Sequence, residues 1–504
     1  MPNQSKPSDH IVLLLIFSRL HLLRFLIPSI LLGFVLSVEY HSHFVLSRQC
    51  REYLKKTLSM GDFMSKKHTI LIGTIILTAT GFITRFIGFF FRIFLSQSFG
   101  EEQVGLYQLI FPIYALCFSF TSAGIQTAIS RCTAHKHSLG QKKEAVQILY
   151  LGITSSFILS FIVLILLQQN AAFLAINVLG DIRCESLLYA ISYALPFASI
   201  HSCIIGYYLG LKETKIPAIS QLIEQLVRVS AVYIIYQIAI KDNYSASILL
   251  AVLGIVCGEF ASSCFCIYFF SKQNHIKIWK TKFKTQLSLF QELFSLAVPL
   301  SSSRILINIL QSIESISIPI CLQQYGYTTA EALSNYGVLT GMALPCVFFP
   351  TAITNSISTM LLPTVAEIQA TRDFRKLKDV IQKVFFSCFS LGFCCCICLF
   401  FFSSFIGNTV FHSTLTGDYL KVLSWACPFL YLNATLISIT NGLGKANISF
   451  FINLAGLGLR ITSVLIFIPL IGMNGYLWGL LLSQFCTSFL CILHLVFYLK
   501  KCAS

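Results

Sequence analysis

The sequence predicts an all-α polytopic membrane protein built from two pseudo-symmetric six-helix bundles. Three observations support this fold class: the apolar composition, twelve long apolar runs, and an internal repeat. The 504 residues are 56% hydrophobic and 11% charged, with a mean hydropathy of +0.76. Average soluble domains are about 25% charged, so a surface this poor in charge excludes an ordinary soluble protein.

The apolar runs follow one another along the whole core. Each is about 20 residues or longer, which is enough to cross a hydrocarbon layer of roughly 30 Å. No stretch of hundreds of residues remains between them for a soluble domain. We number the runs as spans 1 to 12, at residues 69–95, 104–130, 145–169, 186–211, 216–240, 246–271, 287–322, 332–361, 379–403, 419–441, 448–470 and 473–499.

Positive charges gather in the connections on one side of the membrane. Connections that follow even-numbered spans contain most of the basic residues, such as Lys136 and Lys142 after span 2, whereas the other side offers only Arg183, Lys241 and Lys421. Basic connections remain in the cytoplasm, so we expect both ends of the core to face the cytoplasm. The net charge of +16 then reflects membrane topology, and we expect no nucleic-acid partner.

The two halves of the chain repeat each other at an offset of about 230 residues. The sequence SYALPF at 192–197 returns as SWACPF at 424–429, and Arg228 meets Arg460 at the same offset. Six spans in each half make the repeats parallel, an architecture of alternating-access carriers with a substrate site between the halves. We expect an N-lobe at 64–271, a basic cytoplasmic linker at 272–286 and a C-lobe at 287–504.

Residues 1–63 precede this core. Their apolar run at 11–38 contains Arg19, His21 and Arg24, which is too much charge for a clean signal peptide. The segment is a thirteenth helix, a signal-like segment or translated sequence upstream of the real start. We favour the last interpretation because Met64 opens the recognisable protein.

Motifs for a metal or for catalysis are missing from the sequence. The nineteen cysteines lack the paired spacing of a zinc site, and the cluster at 394–398 lies in an apolar span, where cysteine acts as a small hydrophobic residue. The sequence GLGK at 442–445 lacks the Walker spacing. No acid–base constellation gathers at a soluble face. We therefore expect no metal, no other cofactor and no enzymatic activity.

Charged residues inside the spans mark the candidate site. An ion at bilayer depth costs roughly 2.5–3.5 kcal/mol, so it usually faces a watered cavity or a partner. On span 1, Gly81, Arg85, Gly88 and Arg92 share one helical stripe. A guanidinium stays charged and grips phosphate with a planar fork, so Arg85 and Arg92 suit a diphosphate headgroup. For Arg92, and also for the deeper Arg85, the alternative is snorkelling to the outer surface.

Span 7 carries a second polar stripe at the same spacing, formed by Arg304, Asn308, Gln311 and Ser315. We assign the first three to the substrate cavity. Glu314 lies close to the stripe and stands opposite Arg85 in the repeat. It is a gating partner of Arg85, a site for a coupling cation, or half of a structural salt bridge between the lobes.

Spans 5 and 6 contain further buried charges. Glu224 and Arg228 are i,i+4 neighbours that can neutralise each other; we favour a structural pair and keep a gating or coupling role open. Glu259 is interpreted as a helix-interface residue beside the small-residue face of Gly254 and Gly258.

Taken together, these residues resemble the stage V sporulation protein B family of the multidrug/oligosaccharidyl-lipid/polysaccharide exporter superfamily. The resemblance extends from about residue 64 to residue 500. The matching stretches are GFITRFIG at 81–88, GEEQVGLY at 100–107, AIS at 128–130, EQLVR at 224–228, GE at 258–259, SR at 303–304 with Asn308 and Glu314, and ST at 358–359 leading to LP at 362–363.

The resemblance implies a V-shaped, two-lobed carrier with a central cavity lined by spans 1, 2, 7 and 8. It also implies a sporulation-linked exporter of lipid-linked peptidoglycan precursor in the cell membrane of spore-forming bacteria. Arg85 matches a first-span arginine that related lipid II flippases need, and Arg92 lies one position from a second. Arginines of those flippases on spans 2 and 8 have no counterpart near Cys117 or Pro345.

Three functions follow as hypotheses. The leading one is a flippase that moves an undecaprenyl-diphosphate-linked saccharide from the cytoplasmic to the outer leaflet, coupled to a monovalent cation or to the membrane potential. A multidrug and toxin extrusion-type cation antiporter, with Glu314 as its coupling carboxylate, is the second. The third is a non-transporting membrane scaffold that has cell-wall or sporulation enzymes as partners.

Overall fold

A computed structural model of the chain describes residues 62–242, 247–273, 283–370 and 374–503. The chain divides into two compact units, Met1–Ile72 and Gly73–Ser504. Within the first unit, residues 62–72 are described and are helical. The expectations for residues 1–61 and for most of the basic linker, 274–282, lie outside the described residues.

The amino-terminal half contributes spans 1 to 6. Gly100 separates span 1 from span 2, because its backbone angles (φ 80°, ψ 171°) interrupt the helix Asp62–Leu109, and glycine adopts positive φ without steric cost. Span 4 bends by 41° between its two helices. The described elements are Asp62–Leu109, Phe111–Phe118, the π-helical turn Ser119–Ala123, Gly124–Ser138, Lys142–Gln169, Ala171–Phe173, the π-helical turn Leu174–Leu179, Cys184–Ser192, Ala194–Gly210, Lys215–Lys241 and Leu249–Gln273.

The carboxy-terminal half contributes spans 7 to 12. Span 7 is one helix that accommodates Pro299 and Pro319, and Thr328 opens span 8 with a capping box to Glu331, which satisfies two otherwise unpaired N–H groups. The described elements are Phe283–Tyr325, Thr329–Gly337, the π-helical turn Val338–Ala343, Leu344–Phe348, Thr351–Ala370, Phe374–Phe405, the π-helical turn Ile406–Phe411, Thr414–Ser424, Cys427–Gly442, Ala446–Thr462, the π-helical turn Ser463–Phe467, Ile468–Ile471 and Met473–Ala503.

The described helices cross a membrane many times. Eight are long and apolar enough to span it, or up to eleven when each bent pair counts as one. One of the eight, Ile76–Ser138, has 63 residues and would extend about 95 Å at 1.5 Å per residue, which is far more than one crossing needs. Dividing it at Gly100 into spans 1 and 2 gives the twelve spans that the sequence predicts.

The outer surface of this bundle is apolar. Phe386 and Phe401 are 69% and 76% exposed, as expected for side chains that face lipid. On span 9, Cys396 is buried, whereas Cys394 and Cys398 are exposed. This placement agrees with their interpretation as small hydrophobic residues.

Two glycines bring spans 2 and 8 into backbone contact. A Cβ atom on Gly105 would lie 2.1 Å from the carbonyl oxygen of Leu333, and one on Gly337 would lie 2.3 Å from the carbonyl oxygen of Glu101. Both contacts join the two halves of the chain, because span 2 belongs to the first half and span 8 to the second.

We expect Gly105→Ala to destabilise the protein by about 1–3 kcal/mol, the usual cost of overpacking a tight contact. The matched control is Gly458→Ala on span 11, where an added Cβ meets nothing within 4 Å and the gain in helix propensity is about 1 kcal/mol at most. Thermal unfolding of both purified variants checks this. Equal unfolding temperatures would contradict the backbone contact.

Candidate functional site

A cavity of about 800 Å³ lies between spans 1, 2, 5 and 8. Its charged lining consists of three arginines and one glutamate, and its other polar groups are amide and hydroxyl side chains. The charged residues are Arg85, Arg92, Arg228 and Glu224; the amides are Gln108, Gln221, Gln225 and Asn355.

Arg85 connects span 1 to span 8 at the cavity wall. Its Nη1 atom donates a hydrogen bond of 3.0 Å to the hydroxyl of Thr351, and that hydroxyl donates to the carbonyl oxygen of Phe348 at 2.6 Å. A guanidinium has five N–H donors. The bond to Thr351 engages one of them, so the side chain retains donors for an anion in the cavity.

Arg92 also turns toward the cavity and not toward the outer surface. Its Nη1 atom donates to the carbonyl oxygen of Thr340 at 3.2 Å. Thr340 belongs to the π-helical turn Val338–Ala343, and such a turn departs from the i→i+4 pattern, often at functional sites. The π-helical turn of span 8 thus supplies the acceptor that holds Arg92 inside.

Span 5 presents a polar face to the cavity, with Gln221, Glu224, Gln225 and Arg228 at positions that share one side of a helix. Arg228 Nη2 donates to the Glu224 carboxylate, as the i,i+4 spacing predicts. Arg228 Nε is buried and has no hydrogen-bond acceptor among the described residues. A buried donor without an acceptor is costly.

The resemblance implied that span 7 lines the cavity together with spans 1, 2 and 8. In the structure, span 5 lines this cavity in its place. Arg304 and Asn308 instead form hydrogen bonds between span 7 and span 2. Arg304 Nη2 donates to the hydroxyl of Thr127 at 3.0 Å, and the Asn308 amide donates to the hydroxyl of Ser119. Gln311 is exposed. All three predicted cavity residues lie outside the lining of this cavity, because spans 2 and 7 pack against each other.

Glu314 is paired within the C-lobe. Its carboxylate lies 3.4 Å from Arg460 Nη2 on span 11 and accepts a hydrogen bond of 2.8 Å from Tyr476 on span 12. The gating pair expected with Arg85 is therefore not formed. The sequence placed Glu314 opposite Arg85 in the repeat, but packing of spans 7, 11 and 12 gives Glu314 a nearer base.

Sequence reasoning missed a second polar cluster in the N-lobe. His201 on span 4 lies 3.1 Å from the Glu259 carboxylate on span 6. The small-residue face beside Glu259 does pack closely, since a Cβ on Gly258 would lie 2.8 Å from the carbonyl oxygen of Glu224. One indication of this cluster was present in the sequence, namely that a histidine lies inside the apolar span 4.

Comparisons with known proteins agree with this architecture. A family model described as polysaccharide biosynthesis protein matches residues 70–369. Stage V sporulation protein B of Bacillus subtilis (strain 168) is 30% identical over 393 residues, which cover 77% of this chain and 76% of that protein.

Solved structures show the same fold. Lipid II flippase MurJ in an inward closed conformation has a TM-score of 0.65 at 15% identity, with 84% of this chain and 87% of that chain covered. An inward-facing multidrug resistance MATE family transporter of the MOP superfamily has a TM-score of 0.62 at 13% identity, with 86% and 98% covered. These likenesses confirm the predicted two-lobed helical fold of a multi-pass membrane protein, and the proteins matched are named as a flippase and a transporter, not as enzymes. The family indicated by the motifs is confirmed as well: the chain belongs to the polysaccharide biosynthesis protein family and has stage V sporulation protein B as a relative.

Proposed function

We propose that this chain is a flippase for an anionic, diphosphate-linked saccharide lipid and moves it from the cytoplasmic to the outer leaflet. The observation that carries the proposal is the cavity lined by Arg85, Arg92 and Arg228, with Glu224 as the one acidic residue among the described residues of its lining. Glu224 is already paired with Arg228. The cavity therefore has an excess of positive charge, contributed by Arg85 and Arg92.

A diphosphate fits this excess charge. Guanidinium groups bind phosphate oxygens through charge-assisted hydrogen bonds that are about twice as strong as neutral ones. The volume of about 800 Å³ lies within the range of small-molecule sites, roughly 300–1,000 Å³, so it suits a headgroup while the lipid tail stays in the bilayer. The names of the relatives, a sporulation protein and a lipid II flippase, support a cell-wall precursor as the saccharide lipid and spore cortex synthesis as its use.

A cation antiporter is the second candidate, favoured by the structural likeness to a MATE family transporter. An organic cation would meet three guanidiniums in this cavity, and Glu314 is occupied by Arg460. The charge of the cavity thus favours an anion over a cation. A membrane scaffold would need no such cavity.

Export requires the basic connections to face the cytoplasm. We expect a membrane-impermeant maleimide to label Asp418→Cys in intact cells, and Lys142→Cys only after permeabilisation, because Asp418 lies beyond span 9 and Lys142 beyond span 2. Both side chains are exposed, and the labelling of the unchanged protein gives the background from native cysteines. The reverse labelling pattern would place the basic connections outside the cell and would reverse the proposed direction of transport.

Reconstitution tests the function itself. The full chain is placed in liposomes with a fluorescent undecaprenyl-diphosphate-linked saccharide, and a quencher outside reports which leaflet holds the lipid. We expect leaflet exchange well above that of protein-free liposomes, and no efflux of an organic cation such as ethidium from matched vesicles. Ethidium transport without lipid exchange would favour the antiporter, and neither activity would favour the scaffold.

A further inference from the structure

A buried titratable cluster lies next to the arginine cavity. His201 of span 4, Glu224 of span 5 and Glu259 of span 6 bring one nitrogen or carboxylate oxygen each to within 4.8 Å of one another. The His201 side chain is 8% exposed. Because Glu224 also lines the cavity, the cluster and the cavity share a residue.

Both ring nitrogens of His201 have polar partners. Nδ1 lies 3.1 Å from Glu259 Oε2, and Nε2 lies 3.2 Å from the Ser220 hydroxyl. That hydroxyl also lies 3.0 Å from the carbonyl oxygen of Pro217, and when its hydrogen points there its oxygen can accept from Nε2. Ser262, 3.2 Å from Nδ1, likewise donates to a backbone carbonyl oxygen. The contacts can therefore hold the protonated ring, which donates from both nitrogens, as well as the neutral ring with its hydrogen on Nδ1.

Protonation of His201 also balances the charge of the cluster. Two carboxylates, Glu224 and Glu259, then face two cations, Arg228 and His201. Tyr114 of span 2 and Cys266 of span 6 also face the cluster, but phenols and thiols are largely uncharged near neutral pH. Arg92 and Tyr107 face Arg228 from the cavity side. Loss of the proton would leave Arg228 as the only cation next to two carboxylates.

We propose that His201 and Glu259 form a proton-binding site that couples protons to the binding of the anionic headgroup, an inference that rests on the proposed function. A proton from water binds an imidazole nitrogen, and one N–H bond forms. Glu259 then has its own cation, and Arg228 is shared between the headgroup and one carboxylate, Glu224. When the proton returns to water, both carboxylates compete for Arg228, and the affinity for the anion falls. By linkage, a bound anion raises the affinity of the site for the proton by the same factor.

Equilibrium binding at several pH values tests the coupling. The probe is undecaprenyl-diphosphate-N-acetylglucosamine, a diphosphate diester whose charge is constant between pH 5.5 and 8.5, bound to the purified full chain in detergent at fixed Na⁺. A unit charge on the order of 10 Å away changes a dissociation constant by roughly tenfold at an effective dielectric constant near 20. We expect the wild type to bind about tenfold more weakly at pH 8.5 than at pH 5.5.

His201→Gln should remove this pH dependence and bind near the alkaline level of the wild type throughout. The matched control, His137→Gln in the exposed connection after span 2, should keep it. A wild-type pH dependence that persists in His201→Gln would overturn the proposal. So would a Na⁺ dependence at constant pH that His201→Gln abolishes, since the cluster would then hold a metal cation.

A second measurement separates this inference from the proposed function. If the wild type binds the lipid at no pH, the proposed function fails, yet deuterium exchange at the C2 atom of His201, followed by mass spectrometry, still reports whether its imidazole titrates between pH 5.5 and 8.5. We expect a titration in this range that Glu259→Gln shifts to lower pH. A ring that stays neutral throughout would refute the proton site.

Discussion

The double variant Arg85→Gln/Arg92→Gln is expected to lose diphosphate-lipid binding and leaflet exchange by about 100-fold or more while still folding. Each guanidinium can give the headgroup a charge-assisted hydrogen bond of about 1.5–3 kcal/mol, and a factor of ten corresponds to about 1.4 kcal/mol. Glutamine retains a donor for Thr351 and for the carbonyl oxygen of Thr340, the present partners of the two arginines. The substitutions should therefore weaken lipid binding more than they destabilise the fold.

Two controls define this result. Arg85→Lys/Arg92→Lys preserves the charge and removes the planar fork, so it should retain part of the activity. Arg131→Gln changes an exposed arginine at the end of span 2 and should leave exchange unaltered. The measurements are lipid binding in detergent and exchange in liposomes, with thermal unfolding as the check on folding. Full exchange by the double glutamine variant would remove the basis of the proposed function.

Arg460→Met is expected to produce the largest loss of stability, about 3–5 kcal/mol, because it leaves the Glu314 carboxylate buried without its cation. Glu314 is 5% exposed, and its other described partner is the Tyr476 hydroxyl. The double variant Glu314→Gln/Arg460→Met should recover most of the loss, since no uncompensated charge remains. Thermal unfolding of purified protein measures both. Equal instability of the single and double variants would show that shape, and not charge, makes Arg460 necessary.

The equivalent arginine of the other half should behave differently. Arg228 occupies the position that matches Arg460 in the repeat, but its partner Glu224 lines the cavity. Arg228→Met should therefore cost less stability than Arg460→Met and should weaken binding of the diphosphate lipid more. If the proposed function holds, the repeat uses one arginine position for packing in the C-lobe and for the ligand in the N-lobe.

Much of the fold could be predicted because hydropathy and charge act locally. A run of about 20 apolar residues must satisfy its backbone hydrogen bonds as a helix in the bilayer, so the spans follow from composition. The stripe of Arg85 and Arg92 could be predicted for a related reason: both side chains lie on one face of one helix, and 3.6 residues per turn fixes that face. The structure places both at the cavity.

Contacts between spans could not be derived in this way. The sequence offered Arg85 as a partner of Glu314 by repeat offset, whereas the structure pairs Glu314 with Arg460. It indicated Arg304 for the cavity, whereas this side chain contacts Thr127 on span 2. It also gave no reason to join His201 to Glu259, which are 58 positions apart. Each of these depends on how helices rotate and pack, and helical periodicity carries no information about which helix a face will meet.

By itself, the sequence determined that this chain is a membrane protein of duplicated helical halves with guanidiniums held at bilayer depth. Hydrophobic runs, the distribution of lysine and arginine, and the repeat are properties of the linear chain, so they needed no coordinates. Only the tertiary structure decided which charges share a cavity and which neutralise each other. The reason is physical: the energy of a buried charge depends on the atoms within a few ångströms of it, and packing brings those atoms from distant parts of the chain.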